Sequence, residues 1–248
     1  MRIVHLGSYW LLLLLVACTE GDSSLNSTGT GGSLTRFAIQ GAHLYVATNA
    51  TLNVYAINSN SFSHVKDVAV GFALETIFAK GEYLYMGARD AMYIYSIADP
   101  ANPAFIFRYA HIVSCDPVVV QGNRAYVTLS SGSACNRGAN ALEIIDISNP
   151  NNPILISNYP MNSPGGLAID GDCLFVCEGV NGLKMLNVAN PLNPSVINTL
   201  SNINSYDVIA RNGLLTLTGE DGVFQFQYDC ALHSLQQLSK IPVERENL

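Results

Sequence analysis

A repeat of about 41 residues is the feature that most constrains the fold of this 248-residue chain. In each of five segments, an apolar run is followed by a glycine and then by a second apolar run. The glycines are Gly41, Gly81, Gly122, Gly171 and Gly213, at spacings of 40, 41, 49 and 42 residues. A repeat of this kind cannot bury its apolar surface alone, so neighbouring copies must stack and share a core.

Each repeat contains four short runs rich in Val, Ile, Tyr and Phe, separated by turn residues and without a helical period. In the second repeat these runs begin at Leu74, Leu84, Met92 and Ala104. Such runs predict β-strands. We therefore predict an all-β chain, a five-bladed β-propeller of four-stranded antiparallel blades. An open solenoid is the alternative, but four strands per repeat favour a closed ring.

A turn with two prolines lies between the third and fourth strands of three repeats. It is Asp99-Pro100-Ala101-Asn102-Pro103, and it recurs over 149–153 and 190–194. Proline cannot donate to a strand ladder, so each pair ends one strand and directs the next. Together with the preceding strands, 142–147 and 183–188, this pattern resembles the LVIVD-repeat family of bacterial surface and envelope proteins.

The resemblance extends over residues 34–243, although 58–61 and 228–231 replace the double-proline turn in blades one and five. It implies a propeller and, often, a lipid anchor, and it implies no established reaction. Blades are expected at about 34–70, 71–110, 111–160, 161–201 and 202–243.

The first residues indicate export. Arg2 precedes an apolar run from Leu11 to Ala17, which is shorter than the roughly 20 residues of a membrane-spanning helix and is typical of a signal peptide. Leu15-Val16-Ala17-Cys18 resembles the bacterial lipobox, which implies that Cys18 carries the lipid. The alternative is an ordinary secretory signal with an incidental cysteine.

These features predict a signal peptide over 1–17, a lipidated cysteine with a flexible Ser/Thr/Gly-rich tether over 18–33, and a propeller domain over 34–248. We expect a lipoprotein of the bacterial cell envelope, at the outer membrane, facing the periplasm or the cell surface. Its contact with the membrane would be through the lipid alone.

The composition excludes several classes of protein. Hydrophobic residues make up 49% of the chain, charged residues 12%, and the formal net charge is −7. These values exclude a disordered chain, a basic nucleic-acid-binding protein and a disulfide-dense miniprotein. We therefore expect no nucleic-acid partner.

Propeller topology groups residues by face. The start of each first strand and the loop between strands two and three lie on one face, called the top here. The glycine turns and the double-proline turns lie on the other face, the bottom.

Five cysteines remain beyond Cys18. Cys115 and Cys135 both fall on the top of blade three, and we predict that they form a disulfide; two free buried thiols are the alternative. Cys173 and Cys177 lie about 13 Å apart on one strand, beyond disulfide reach. Cys173 and Cys230 share the bottom of neighbouring blades, where a bridge is allowed but not expected. Cys177 is expected to be a small core residue.

The second position of each first strand predicts a ring of residues around the top of the central channel. Its members are Thr35, Glu75, Asp116, Gly165 and Asp207, with Arg36 next to them. Three carboxylates could bind a cation such as Ca²⁺, or a basic partner, and Arg36 could neutralise part of their charge. Alternatively they cap strand starts by accepting backbone N–H bonds, which we favour, and we then expect no cofactor.

No catalytic motif emerges from the sequence: a Gly-x-Ser-x-Gly elbow and a phosphate-binding glycine loop are missing. We expect a non-enzymatic binding or scaffold module whose top face contacts an envelope or surface protein or a glycan. One alternative is a hydrolase or lyase acting on polysaccharide or peptide through Glu75, Asp116 and Asp207. The other is a structural subunit of an envelope complex, which an exposed apolar patch on the outer strands would favour.

Overall fold

The computed structural model describes residues 32–71, 73–110, 117–131 and 140–243, in which every regular element is a β-strand. The first sheet contains β1 (Phe37–Gln40), β2 (His43–Ala47), β3 (Thr51–Ile57) and β4 (Phe62–Ala69). The second contains β5 (Leu74–Lys80), β6 (Tyr83–Ala88), β7 (Ala91–Ser96) and β8 (Ala104–Ala110). The third contains β9 (Val118–Gln121), β10 (Arg124–Leu129), β11 (Ala141–Asp146) and β12 (Ile154–Pro160). The fourth contains β13 (Leu167–Asp170), β14 (Cys173–Cys177), β15 (Leu183–Asn187) and β16 (Ser195–Leu200). The fifth contains β17 (Ser205–Arg211), β18 (Leu214–Gly219), β19 (Gly222–Asp229) and β20 (Ser234–Pro242).

The five sheets are the blades of a propeller. Each pairs its four strands antiparallel and in chain order. The predicted all-β fold with five four-stranded blades is therefore confirmed. Because each sheet is a contiguous stretch of chain, none of the described sheets combines strands from the first and last blades. In the described ranges, no helix is long and apolar enough to cross a membrane.

The glycine period has a conformational cause. Gly41, Gly81, Gly122 and Gly171 each occupy the left-handed region, with φ of 58° or 59°, in the turn between the first and second strands. Side chains with a Cβ disfavour this conformation, so a glycine marks the same turn in each of these blades. A second repeated feature is a β-bulge between the third and fourth strands of all five blades. Bulges increase local twist, which bends the outermost strand of each blade.

The double-proline turn connects neighbouring blades. The side chain of Asp99 accepts a hydrogen bond from the backbone N–H two residues later, at 3.1 Å, and so closes the turn. The carbonyl of Pro100 then accepts a 2.9 Å bond from the hydroxyl of Tyr45 in the preceding blade. Likewise the carbonyl of Pro191 accepts a 2.6 Å bond from Ser157. The turn thus ends one strand and also attaches its blade to the blade before it.

Apolar clusters fill the interfaces between consecutive blades. The inner strands pack in the order β1, β5, β9, β13 and β17. Each of four clusters combines side chains from two successive blades. Representative pairs are Tyr45 with Leu84, Met92 with Val127, Leu142 with Val176, and Phe175 with Phe224.

The junction between blade five and blade one differs from these interfaces. The inner strands β17 and β1, both fully described, do not pack against each other as the other consecutive inner strands do. In β19, Phe224 and Phe226 are buried against blade four, whereas Gln225 and Gln227 on the other face are exposed. The free face of blade five is therefore largely polar.

The free face of blade one is only partly covered. Val46 in β2 is half-buried, although Val127 and Val176, at the same position of blades three and four, are 0% exposed. Phe37, which pairs with Val46, is 53% exposed. Within the part of the chain that the structure describes, blade one therefore has little apolar cover on the side that a closed ring would bury.

A short segment before β1 links the two ends of the ring. We call residues 32–36 the strap. Ser33 is only 2% exposed; its Oγ donates to Oδ1 of Asp207 at 3.0 Å and accepts from the N–H of Leu167 at 2.7 Å. The carbonyl of Thr35 accepts a 3.0 Å backbone bond from β5. The strap thus bonds to blades five and four and then to blade two, at the top of the channel, before the chain enters blade one.

A disulfide joins blades four and five at the bottom. It connects Cys173 and Cys230, whose Cα atoms are 5.9 Å apart, so the expectation that these cysteines stay unpaired is wrong. The end of β19 leans over blade four: the Tyr228 hydroxyl donates to Asp170, and its ring packs edge-on against Phe175 with centroids 4.7 Å apart. These contacts bring the turn that follows β19 within disulfide reach.

The other cysteines have different outcomes. Cys177 is free and buried, as expected for a core residue, and burial raises the pKa of its thiol. Cys115 and Cys135 lie outside the described residues, so their predicted disulfide stays a prediction. Cys18 also lies outside them.

Candidate functional site at the top of the channel

A pocket of about 320 Å³ opens at the top of the channel, and we call it the mouth pocket. Residues of the strap, of β5 and of the connections around blades three and four contribute to it. They are Leu34, Arg36, Glu75, Thr76, Pro117, Ser130, Pro164 and Gly165. Two of the five predicted ring residues, Glu75 and Gly165, thus line one pocket together with Arg36.

The charges in the mouth pocket are arranged around Glu75. Its Oε1 accepts a 3.1 Å bond from Nε of Arg89, which lies on the loop between β6 and β7. Arg36 is exposed on the strap. The sequence places Arg89 on a top loop, but the spacing of the residues gives no sign that it pairs with Glu75. The pocket therefore presents an exposed guanidinium beside an ion pair and an apolar edge at Leu34.

Asp207 has a structural role under the strap. Its carboxylate accepts bonds from Ser33 Oγ, from the N–H of Leu34 at 3.4 Å and from the N–H of Val208 at 2.9 Å. Burial raises the pKa of Asp207, although these hydrogen bonds act in the opposite direction. A Cβ on Gly32 or Gly166 would overlap this carboxylate, which explains glycine at both positions.

The ring of three carboxylates is only partly described. Asp116 lies outside the described residues, Asp207 does not line the mouth pocket, and Glu75 pairs with Arg89. Among the described residues, no group of three or more His, Cys, Asp or Glu side chains could hold a metal ion. The Ca²⁺ alternative therefore depends on Asp116 and stays a prediction.

A carboxylate of a neighbouring top loop also has structural partners. Glu178 is 0% exposed; one of its oxygens accepts the N–H of Asn162 at 2.7 Å, and the other lies 2.7 Å from Nζ of Lys184. A buried carboxylate persists only with partners of this kind, and these partners connect the loop to β15. Glu178 is thus part of the scaffold beside the mouth pocket.

A second surface lies on the bottom of the outermost strands, and we call it the outer rim. Blades one to four each expose a large apolar side chain at the start of their fourth strand, following the bottom turn. These side chains are Phe62, Phe105, Ile154 and Val196. Phe62 and Ile154 are the first residues of their strands, and Phe105 and Val196 are the second, so these side chains share the neighbourhood of the turn rather than one register position. Exposed apolar side chains grouped on one surface are a feature of interaction sites.

Comparisons with known proteins support the repeat assignment. The LVIVD repeat model matches residues 75–111 and 114–160, which are blades two and three. No curated protein matches the chain in sequence.

Solved structures share the fold at low sequence identity. A functionally unknown protein from Desulfotomaculum acetoxidans has a TM-score of 0.70 and 13% identity, over 82% of this chain and 67% of that one. A protein from Lactobacillus plantarum has a TM-score of 0.63 and 13% identity, over 81% and 68%. A putative 6-phosphogluconolactonase from Bacteroides fragilis has a TM-score of 0.62 and 13% identity, over 82% and 67%.

The computationally designed protein Ika8 is similar as well, with a TM-score of 0.61 and 12% identity over 83% of this chain. The chain spans 60% of the length of Ika8 and about two thirds of the other three. At such identities the likeness shows the fold and nothing about activity. The comparisons and the five sheets together show a β-propeller fold in which blades two and three match the LVIVD repeat.

Proposed function

We propose that the chain is a non-enzymatic binding module of the bacterial cell envelope that holds a protein partner through the mouth pocket. The observation that carries this proposal is the composition of that pocket. An exposed arginine, Arg36, lies in a concave surface next to the Glu75–Arg89 pair and to Leu34, which is 44% exposed. Protein interfaces combine apolar contact with arginine and paired charges in this way.

The strap supports a position close to the membrane. It brings the chain to the top face, next to the mouth pocket, and its first two residues are the last two of the proposed tether. A lipid on Cys18 would therefore attach the domain by the same face that carries the pocket. The partner of such a module would be an envelope protein that lies near the membrane surface.

Site-specific photo-crosslinking in the native cells tests the proposal. A benzophenone amino acid replaces Leu34 at the mouth pocket or, as the control, Leu192 in a bottom turn, which is 72% exposed and thus the more accessible position. We expect a crosslinked protein from position 34 that is absent from position 192 and is lost when Arg36→Glu is added. The same products from both positions, or none from position 34, would contradict the proposal.

The anchor has a separate test. Cys18→Ala should move the protein from the membrane fraction to the soluble fraction of the envelope, because the acylated residue is lost. A variant that still sediments with membranes would contradict the lipid anchor while leaving the mouth pocket open to the crosslinking test.

The outer rim favours a second candidate function, a structural subunit of an envelope complex. Phe105 is 56% exposed and Ile154 57% exposed, although both follow turns that are otherwise polar. A partner that docks on the outer strands would cover these side chains. In the same experiment, a crosslink from position 105 without one from position 34 would support this candidate over the first.

A further inference from the structure

A cavity of about 150 Å³ lies within the channel, below the strap. Inner strands of blades two to five line it, and most of its surface is apolar. Phe78, Val119, Ile169 and Ile209 contribute from one strand each. A cavity of this volume with an apolar lining accommodates a molecule about the size of benzene.

The strap covers the upper end of this cavity. Leu167 and Val208 belong to the upper part of the lining. The backbone N–H of Leu167 donates to Ser33 Oγ, and Asp207, which precedes Val208, accepts from the same hydroxyl. Because Ser33 is buried at this position, we expect a small molecule to enter from the bottom.

The lower end of the cavity carries a positive charge. Lys80, the last residue of β5, and Gln121, the last residue of β9, line it there. Both polar groups of the Gln121 side chain bond to Gly171, at 2.7 and 3.0 Å, so this amide is part of a fixed wall. Lys80 is exposed and has no hydrogen-bond or ion-pair partner among the residues that the structure describes.

We propose that the channel binds a small amphipathic monocarboxylate, an aromatic or short-chain acid of about the size of benzoate. The apolar body would occupy the cavity between Phe78 and Ile209. The carboxylate would point to the bottom and accept a charge-assisted hydrogen bond from Nζ of Lys80. This site lies at the opposite end of the channel from the mouth pocket, so the proposed partner binding and this binding can succeed or fail separately.

Thermal-shift and calorimetric titrations of the purified full chain test the proposal with three probes. Benzoate has both the ring and the charge, benzyl alcohol has the ring alone, and acetate has the charge alone. A ligand that binds only the folded state raises the melting temperature with concentration. We expect benzoate to bind at about millimolar concentration or below, benzyl alcohol roughly tenfold more weakly, and acetate to have no effect.

Substitutions of residues that line the cavity test whether benzoate binds there. Lys80→Met should weaken benzoate about tenfold and leave benzyl alcohol unchanged, since one charge-assisted bond is lost. Lys66→Met is the control, because this lysine lies on the exposed strand β4 and bonds to Asn102 outside the cavity, and it should change neither. Ile209→Trp, at a half-buried position, should fill the cavity and abolish binding of both ring compounds. Val119→Phe is the second filling variant, should the first not fold.

Four results would overturn the proposal. They are the absence of benzoate binding up to roughly 10 mM, equal effects of benzoate and acetate, unchanged benzoate affinity in Lys80→Met, and benzoate binding that survives a folded cavity-filling variant.

Discussion

The interface between blades four and five and the junction between blades five and one are built from different interactions. At the first, Phe175, Phe224 and Phe226 share an apolar cluster, and a disulfide joins the two blades. At the second, the inner strands β17 and β1 do not pack as the other consecutive inner strands do, and the link that the described residues show is the bonding of Ser33 and Leu34 to Asp207. One side of blade five is thus held by apolar packing and the other by hydrogen bonds.

This difference indicates that the two ends of the ring separate more easily than any pair of consecutive blades. Burial of one large apolar side chain contributes about 1.5–3 kcal/mol, and a net hydrogen bond about 1 kcal/mol. In proteins built from stacked repeats, the terminal repeat has a polar outer face, which keeps the end of the stack soluble. Blade five, with Gln225 and Gln227 exposed, has this property although it belongs to a propeller.

Removal of the disulfide should have the largest effect, because it weakens the one packed side of blade five. We expect Cys173→Ala with Cys230→Ala to lower the free energy of unfolding by roughly 2–4 kcal/mol, since the bridge closes a loop of 57 residues. Urea unfolding of the wild type and the double variant, with and without reductant, measures this loss. Equal stability of the two proteins under oxidising conditions would contradict it.

Reductant supplies a control for the same experiment. If Cys173–Cys230 were the sole bridge, reductant would not destabilise the double variant further. A further loss in that variant would support the predicted pairing of Cys115 with Cys135, and Cys135→Ser should then remove it.

Substitution of three valines at one position of the repeat allows a direct comparison of the packed blade interfaces with the free face of blade one. Val127→Ala and Val176→Ala remove buried methyl groups and should each cost about 2 kcal/mol, between typical Ile→Val and Leu→Ala values. Val46→Ala, on the half-buried face of blade one, should cost less than about 1 kcal/mol. Denaturant midpoints at constant m measure all three. A loss at Val46 equal to the other two would mean that the junction contains an apolar core after all.

The sequence predicts the blades well because their determinants are local. A glycine at φ near 58° and a proline that cannot donate mark the same turns wherever they occur, so their spacing counts the blades. The polar face of blade five also has a local signal. The alternation Phe224-Gln225-Phe226-Gln227 predicts a strand with one solvent-exposed face. The continuous apolar run Met92–Tyr95 instead predicts a strand that is buried on both faces.

The candidate site is less predictable because its partners are distant in sequence. The spacing places Asp207 at the top of the channel, but the hydroxyl that binds it belongs to Ser33, 174 residues away. The disulfide depends similarly on how far the end of β19 leans over blade four, which follows from the packing of Tyr228 on Phe175. Neither contact leaves a pattern in the local sequence.

The strap should give a smaller loss of stability than the disulfide or the two buried valines, and the most local one. Ser33→Ala leaves the N–H of Leu167 without its acceptor and removes a donor to Asp207, so we expect a loss of about 1–2 kcal/mol. Thr48→Ala is the matched control, because it removes an exposed hydroxyl bond to the nearby carbonyl of Thr51 and should cost less than about 0.5 kcal/mol.

Hydrogen exchange shows whether this loss is located at the junction. If the strap holds the ends of the ring together, Ser33→Ala should speed amide exchange in β1 and β17, which flank the junction, and leave β9 unchanged. In β9 the apolar clusters on both sides of blade three remain intact. Uniform acceleration of exchange across all blades would mean that Ser33 stabilises the fold as a whole. A loss of stability no larger than that of Thr48→Ala would contradict the role of the strap in holding the ends of the ring together.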